Sequence, residues 1–178
     1  MEQILARIGE MARDGLIPPE ALQSIVEEWD PVIRVSRTVA PSYPDWRREI
    51  LHPELELTGA AEYDIRRVEQ WLHPKQKQGF VDGNEIHNFL KNNNLLAGCL
   101  GLSDLLAIQA RGIVFFRRHF VGKIPFGWRN PVRNHDGSLD VPYLIEDEGK
   151  VIVFWLWLGS LWDSDDPALR FANQSSGI

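Results

Sequence analysis

Two Leu-His-Pro triplets, Leu51-His52-Pro53 and Leu72-His73-Pro74, place two imidazoles directly before prolines. Converging imidazoles ligate transition metals, but a zinc site needs one or two further ligands that neither triplet supplies. Proline drives the residue before it out of helical geometry. Both triplets are therefore expected to end short helices, with a histidine in the last turn where the helix dipole favours it. Asp163, Asp165 and Asp166 cluster in "WDSDDP". Grouped carboxylates suit Mg²⁺ or Ca²⁺, and with them a metal-dependent hydrolase or nuclease. The segment lacks the spacing and glycine of an EF-hand, and no Gly-rich phosphate loop accompanies it, so a solvated, Asx-capped turn is the simpler reading. His87 and His119 act as general bases only if a carboxylate orients them. Cys99 with His87 makes a nucleophile and base only if the fold joins them. A small buried side chain suits Cys99 better.

The most specific signal is electrostatic. "RGIVFFRRHFVGKIPFGWRNPVRNH", residues 111–135, holds six Arg or Lys and no acid, in a chain whose net charge is −6. Seven acids and one Lys follow between Asp140 and Asp166. In the basic stretch Arg117, Arg118, Lys123, Arg129 and Arg133 alternate with Phe115, Phe116, Phe120, Phe126 and Trp128. Cations neutralise phosphates and exposed aromatics stack on unpaired bases, so a nucleic-acid interface requires at least two of these rings to be exposed. The competing reading puts the rings in the core and the arginines on a rim facing the acidic strands, with Arg133 paired to Asp140 across strands. Arg117, Arg118, Lys123, Trp128, Arg129 and Arg133 are the candidate binding residues.

The elements that position these residues follow from periodicity and punctuation. Residues 1–30 read as a helical pair. Ile4, Leu5, Ile8 and Met11 fall at helical spacing before Gly15, and Leu22, Ile25, Val26 and Trp29 form a second stripe after Pro19. The pair is a candidate docking or dimerisation arm, through which two copies would form a homo-oligomer. Residues 31–178 read as a single α+β domain. A strand is expected at Val32–Val39, a short helix near Asp45–Leu51, and another from about Tyr63 to Leu72. A helix capped by Asp82, with Glu85 three residues on, runs to the Asn92–Asn94 run. The longest helix spans Asp104–Phe120, weakened at Gly112. "HDGS", with its Asp-Gly, and "DEGK" then mark the turns of a three-strand antiparallel meander, with a bulge expected at Pro142. The fold class is α+β: a helical N-terminal part packed on a small C-terminal antiparallel sheet of three strands or slightly more.

Val151–Leu158 is apolar on both faces, and such a strand is normally covered on both. Trp155 and Trp157 are expected to be mostly buried. The run is too short for a membrane helix, and the first residues do not read as a signal peptide, so a cytoplasmic protein is expected. A single Cys suits a reducing compartment.

"SYPDWRREILHPELELTGAAEYD", "VEQWLHPKQKQG", "GCLGLSDLLAIQARGIVFFRRHFVGK", "FGWRNPVRNHDGSLDVPYL" and "DPALRFA" resemble a group of uncharacterised proteins found in many bacterial genomes. The resemblance covers about residues 41–172 and implies one continuous domain there. It carries no activity, cofactor or catalytic residue. The functional expectation is a non-catalytic binding module of the bacterial cytoplasm, with a protein partner favoured over nucleic acid, and without cofactor or metal. The alternatives are a nucleic-acid binder using 111–135 and a hydrolase or nuclease using the C-terminal aspartates.

Overall fold

The fold is taken from a computed structural model that describes residues 2–18, 20, 21, 25 and 29–172. The chain divides into two compact units, Met1–Pro31 and Val32–Ile178. The first contains helix α1 (Glu2–Arg13). It ends as Gly15 permits: Gly15 takes φ +71°, its N–H donates to the Ala12 carbonyl, and the Leu16 N–H donates to that of Met11. These are the two bonds of a Schellman stop. Most of the second expected helix lies outside the described residues.

In the second unit the small three-strand sheet expected from sequence is replaced by a larger arrangement. Ten strands form a four-stranded antiparallel sheet and three strand pairs among the described residues. The four-stranded sheet has the order β2 (Arg47–Ile50), β6 (Val132–Asn134), β7 (Leu139–Asp147), β8 (Lys150–Trp157). The extra strand, β2, comes from a segment read as helix. Its Glu49 and Ile50 pair with Arg133 and Val132, so tertiary pairing overrides a weak local preference. The three pairs join β1 (Val32–Arg34) to β3 (Glu62–Asp64), β4 (Val68–Trp71) to β10 (Ala168–Phe171), and β5 (Val81–Asp82) to β9 (Leu161–Trp162).

The expected helix from Tyr63 to Leu72 is thus two strands around one 3₁₀ turn, Ile65–Arg67. Tyr63 of β3 and Ile65 at the start of the turn are both buried. The strand expected over Val32–Val39 shortens to Val32–Arg34. Asp82 does cap its helix, accepting from the Asn84 N–H at the start of α2 (Gly83–Asn92). The longest expected helix is two: α3 (Leu102–Ala110) and α4 (Gly112–His119). Gly112 has φ +80°, which stops the first helix where a glycine alone turns without strain.

The β7–β8 hairpin turns on Glu148 and Gly149, both at positive φ, the type I′ geometry that matches strand twist. No bulge occurs at Pro142, which pairs in continuous register with Trp155. The Leu158 N–H donates to the Leu139 carbonyl, so alternate residues of β7, including Pro142, turn their backbone groups away from β8. Pro142 therefore removes no donor from the β7–β8 ladder, and its carbonyl accepts from the Gly127 N–H on the other side.

Two apolar clusters fill this unit. One joins α3 and α4 to β1, β3 and the Leu144–Val151 region of the sheet. The other surrounds Trp128, Trp162 and Phe126 and includes Ile86 and Leu90 of α2. Trp155 packs against Tyr43 and Trp46, with ring centroids 6.0 and 5.6 Å away. Trp157 lies outside both clusters at 55% exposure, contrary to expectation. No helix among the described residues is long and apolar enough to cross a membrane.

Candidate functional site

The six candidate binding residues separate into interior and surface groups. Trp128 and Arg129 are fully buried and present no face to solvent. Arg117 on α4 makes a two-pronged contact with the Glu146 carboxylate on β7, its Nε 2.9 Å from Oε2. The carboxyl of Glu146 is held below its usual pKa by Arg117. The Lys123 ammonium donates to Asp165 Oδ1 at 2.9 Å and to the Ser164 carbonyl at 3.0 Å. Arg133 lies opposite Leu139, not Asp140, and donates to Glu49 at 3.1 Å. Asp140 accepts instead from Asn134. Arg118 is half-buried in the last turn of α4. The aromatic partners Phe115, Phe116, Phe120 and Phe126 are all buried.

Arg117 and Lys123 both line a groove of about 530 Å³. Phe116, Phe120, Val121, Ile124 and Ile145 form its apolar lining. The end of α4 supplies Phe116 and the residue capping it supplies Phe120, the 121–124 segment lines one side, and β7 supplies Ile145 and Glu146. The volume lies in the range of sites that enclose a small molecule or a large side chain. Arg117 and Lys123 were legible as charges in the sequence. The contribution of Ile145 and Glu146 was not, because the fold brings them from twenty or more residues away.

The other candidates have structural roles. Both Leu-His-Pro histidines begin 3₁₀ turns rather than ending helices. His52 precedes Pro53–Leu55 at φ +57°, and His73 caps Pro74–Lys77 by accepting from the Lys75 N–H. Asp163 and Asp166 accept from backbone N–H groups of their own turn, and Gln76 donates to the carbonyls of both residues. Among the described residues no group of three or more His, Cys, Asp or Glu is arranged to hold a metal. Burial pushes the Cys99 thiol up to about 12, far from the thiolate a nucleophile needs.

One polar cluster has no counterpart in the sequence reading. Asp104, at the start of α3, is fully buried. Its Oδ1 accepts from Arg37 Nη2 at 2.5 Å and from the Tyr63 hydroxyl at 3.2 Å. Its Oδ2 accepts from Arg37 Nη1 at 3.2 Å, the Gly101 N–H at 3.0 Å and Arg129 Nη1 at 3.4 Å. Side-chain exposure is 10% for Arg37 and 1% for Arg129. Burial lowers the pKa of Arg129, opposed by Asp104. Arg129 Nε and Nη2 have no hydrogen-bond partner. A buried, unpaired charged donor costs about 1–3 kcal/mol or more. A lone Asp at a helix start and an Arg among prolines gave no hint that they would meet.

Comparison with protein-family models, with curated proteins and with solved structures finds no match.

Proposed function

We propose that the protein is a non-catalytic binding module of the bacterial cytoplasm, and that the groove between α4 and β7 is its contact surface. The occupant is an apolar side chain of a protein partner. The observation that carries this reading is a groove whose lining joins apolar side chains to the charged Arg117, Glu146 and Lys123, ion-paired as Arg117–Glu146 and Lys123–Asp165. An apolar centre with a charged rim is the anatomy of a protein contact, where the rim sets orientation and the centre supplies affinity. Burial of Phe115, Phe116, Phe120, Phe126 and Trp128 favours this reading over nucleic-acid binding, which needs rings to stack on bases. Burial of Arg129 and the carboxylate partners of Arg117, Lys123 and Arg133 favour it for the same reason.

The test compares three immobilised full-length proteins in a bacterial lysate: wild type, Val121→Glu in the groove wall, and Val39→Glu as a control. Val121 and Val39 are 77% and 68% exposed, so neither change disturbs the core. A protein retained by wild type and control but lost by Val121→Glu is expected. Identical retention by all three rejects the groove. Salt-sensitive binding of single-stranded RNA, lost on Arg117→Glu, would move the assignment to nucleic acid.

A further inference from the structure

The Arg37–Asp104–Arg129 cluster shares no residue with the groove and takes no part in the function proposed above. Two guanidinium groups share one carboxylate, leaving a formal charge of +1 in the interior. Asp104 cannot relieve it. A carboxylate offers about four lone-pair positions, and five donors already point at this one. The remaining acceptors are neutral backbone carbonyls. Arg129 Nη1 donates to the Thr58 carbonyl at 2.7 Å. Arg37 donates to the Ala60 carbonyl from Nε at 3.2 Å and from Nη2 at 2.9 Å. Both carbonyls belong to one exposed loop, residues 57–61.

That loop lies directly on the Arg129 guanidinium. Gly59 takes φ +96°, and a Cβ there would stand 2.9 Å from Arg129 Nη2. Arg129 is thus more than nine-tenths buried, charged, under an exposed small-residue loop, with Nε and Nη2 unpartnered. A guanidinium edge with two adjacent donors matches the two oxygens of an oxyanion, and a charged acceptor binds it more strongly than a carbonyl does.

We propose that Arg37 and Arg129 form a receptor for one oxyanion group, a carboxylate or a phosphate, which replaces the Thr58 and Ala60 carbonyls as the loop lifts. Binding brings the interior charge to balance and supplies acceptors for Arg129 Nε and Nη2. Thr58-Gly59-Ala60-Ala61 carries only small side chains, while the bonds of Thr58 to the Leu55 carbonyl and of the Val35 N–H to the Ala61 carbonyl anchor its two ends.

The test follows the Arg129 Nε–H resonance of the full-length protein during titration with inorganic phosphate and, separately, with acetate, at ionic strength held constant with chloride. A saturable shift of that resonance, accompanied by a rise in Tm, is expected in at least one titration. Response to phosphate alone assigns a phosphoryl ligand, and response to acetate alone a carboxylate. In Arg37→Gln the shift is expected to need about tenfold more anion, and in Arg129→Lys, which has no Nε–H and is followed by Tm alone, the rise in Tm should need about tenfold more, since neither variant keeps both forks. No shift with either anion, or a shift that follows ionic strength whatever the anion, overturns the proposal. So does an unchanged response in Arg37→Gln. That variant and the wild-type resonance decide the matter even if Arg129→Lys fails to fold.

Discussion

His52 and His87, 35 residues apart in the chain, bring their Nε2 atoms within 3.2 Å of each other. Only one of the two nitrogens can carry the proton of that contact, so the pair is built for neutral or singly protonated imidazoles. Lys91 adds positive charge near both rings, while Glu54 faces the other side of His52 at 3.8 Å. Burial, reinforced by His52 and Lys91, lowers His87 to about 4. His52 is lowered as well, chiefly by burial.

Acid should therefore destabilise the fold through this pair. In the unfolded chain His87 takes up a proton near pH 6.5, whereas in the folded chain it does so only near 4. Between those values the unfolded state binds more protons, so stability is present in full above the unfolded pKa and is lost as pH falls towards 4. Full burial would make the loss about 3 kcal/mol, and residual solvent access reduces it. Urea unfolding from neutral pH down to about 4 is the measurement. His87→Leu should flatten this acid slope. An equal slope in the variant would place the acid sensitivity elsewhere.

Asp104 should be the most costly single residue of the interior cluster to replace. Asp104→Asn leaves two buried guanidinium groups without an anionic partner and should destabilise by about 3–5 kcal/mol. Exchanging Asp104 and Arg37 together for Leu and Met should cost less than the sum of the single changes, because the second removes the charge that the first strands. Denaturation midpoints of the two singles and the double provide the comparison. Strict additivity would show that the groups act independently.

Tryptophan emission should divide by location. Trp157 is 55% exposed, whereas Trp128 and Trp162 are fully buried. Trp157→Phe should remove a clear share of iodide-quenchable emission while changing stability by about 0.5 kcal/mol or less, as expected of a surface position. Unchanged quenching in that variant would mean Trp157 is covered in solution.

Elements with a strong local signature were legible from the sequence alone. Asp82 and the apolar stripe behind it specify α2, Gly15 stops α1, and Glu148-Gly149 closes the β7–β8 hairpin, because caps and positive-φ turns depend on a few neighbouring residues. Gly112 was visible as a weak point, but only its φ of +80° turns one helix into two. The alternating charges and rings of 111–135 were visible too. Which of them reach solvent was not, because Trp128 packs against Trp162 from far along the chain and Arg129 against Asp104. Short strands such as Arg47–Ile50 and Val68–Trp71 were misread, since their conformation is fixed by the partners Val132–Asn134 and Ala168–Phe171 rather than by their own residues. The groove and the Arg37–Asp104–Arg129 cluster belong wholly to the tertiary structure. Each is assembled from segments distant in sequence, and local preference reports nothing about contacts made across such separations.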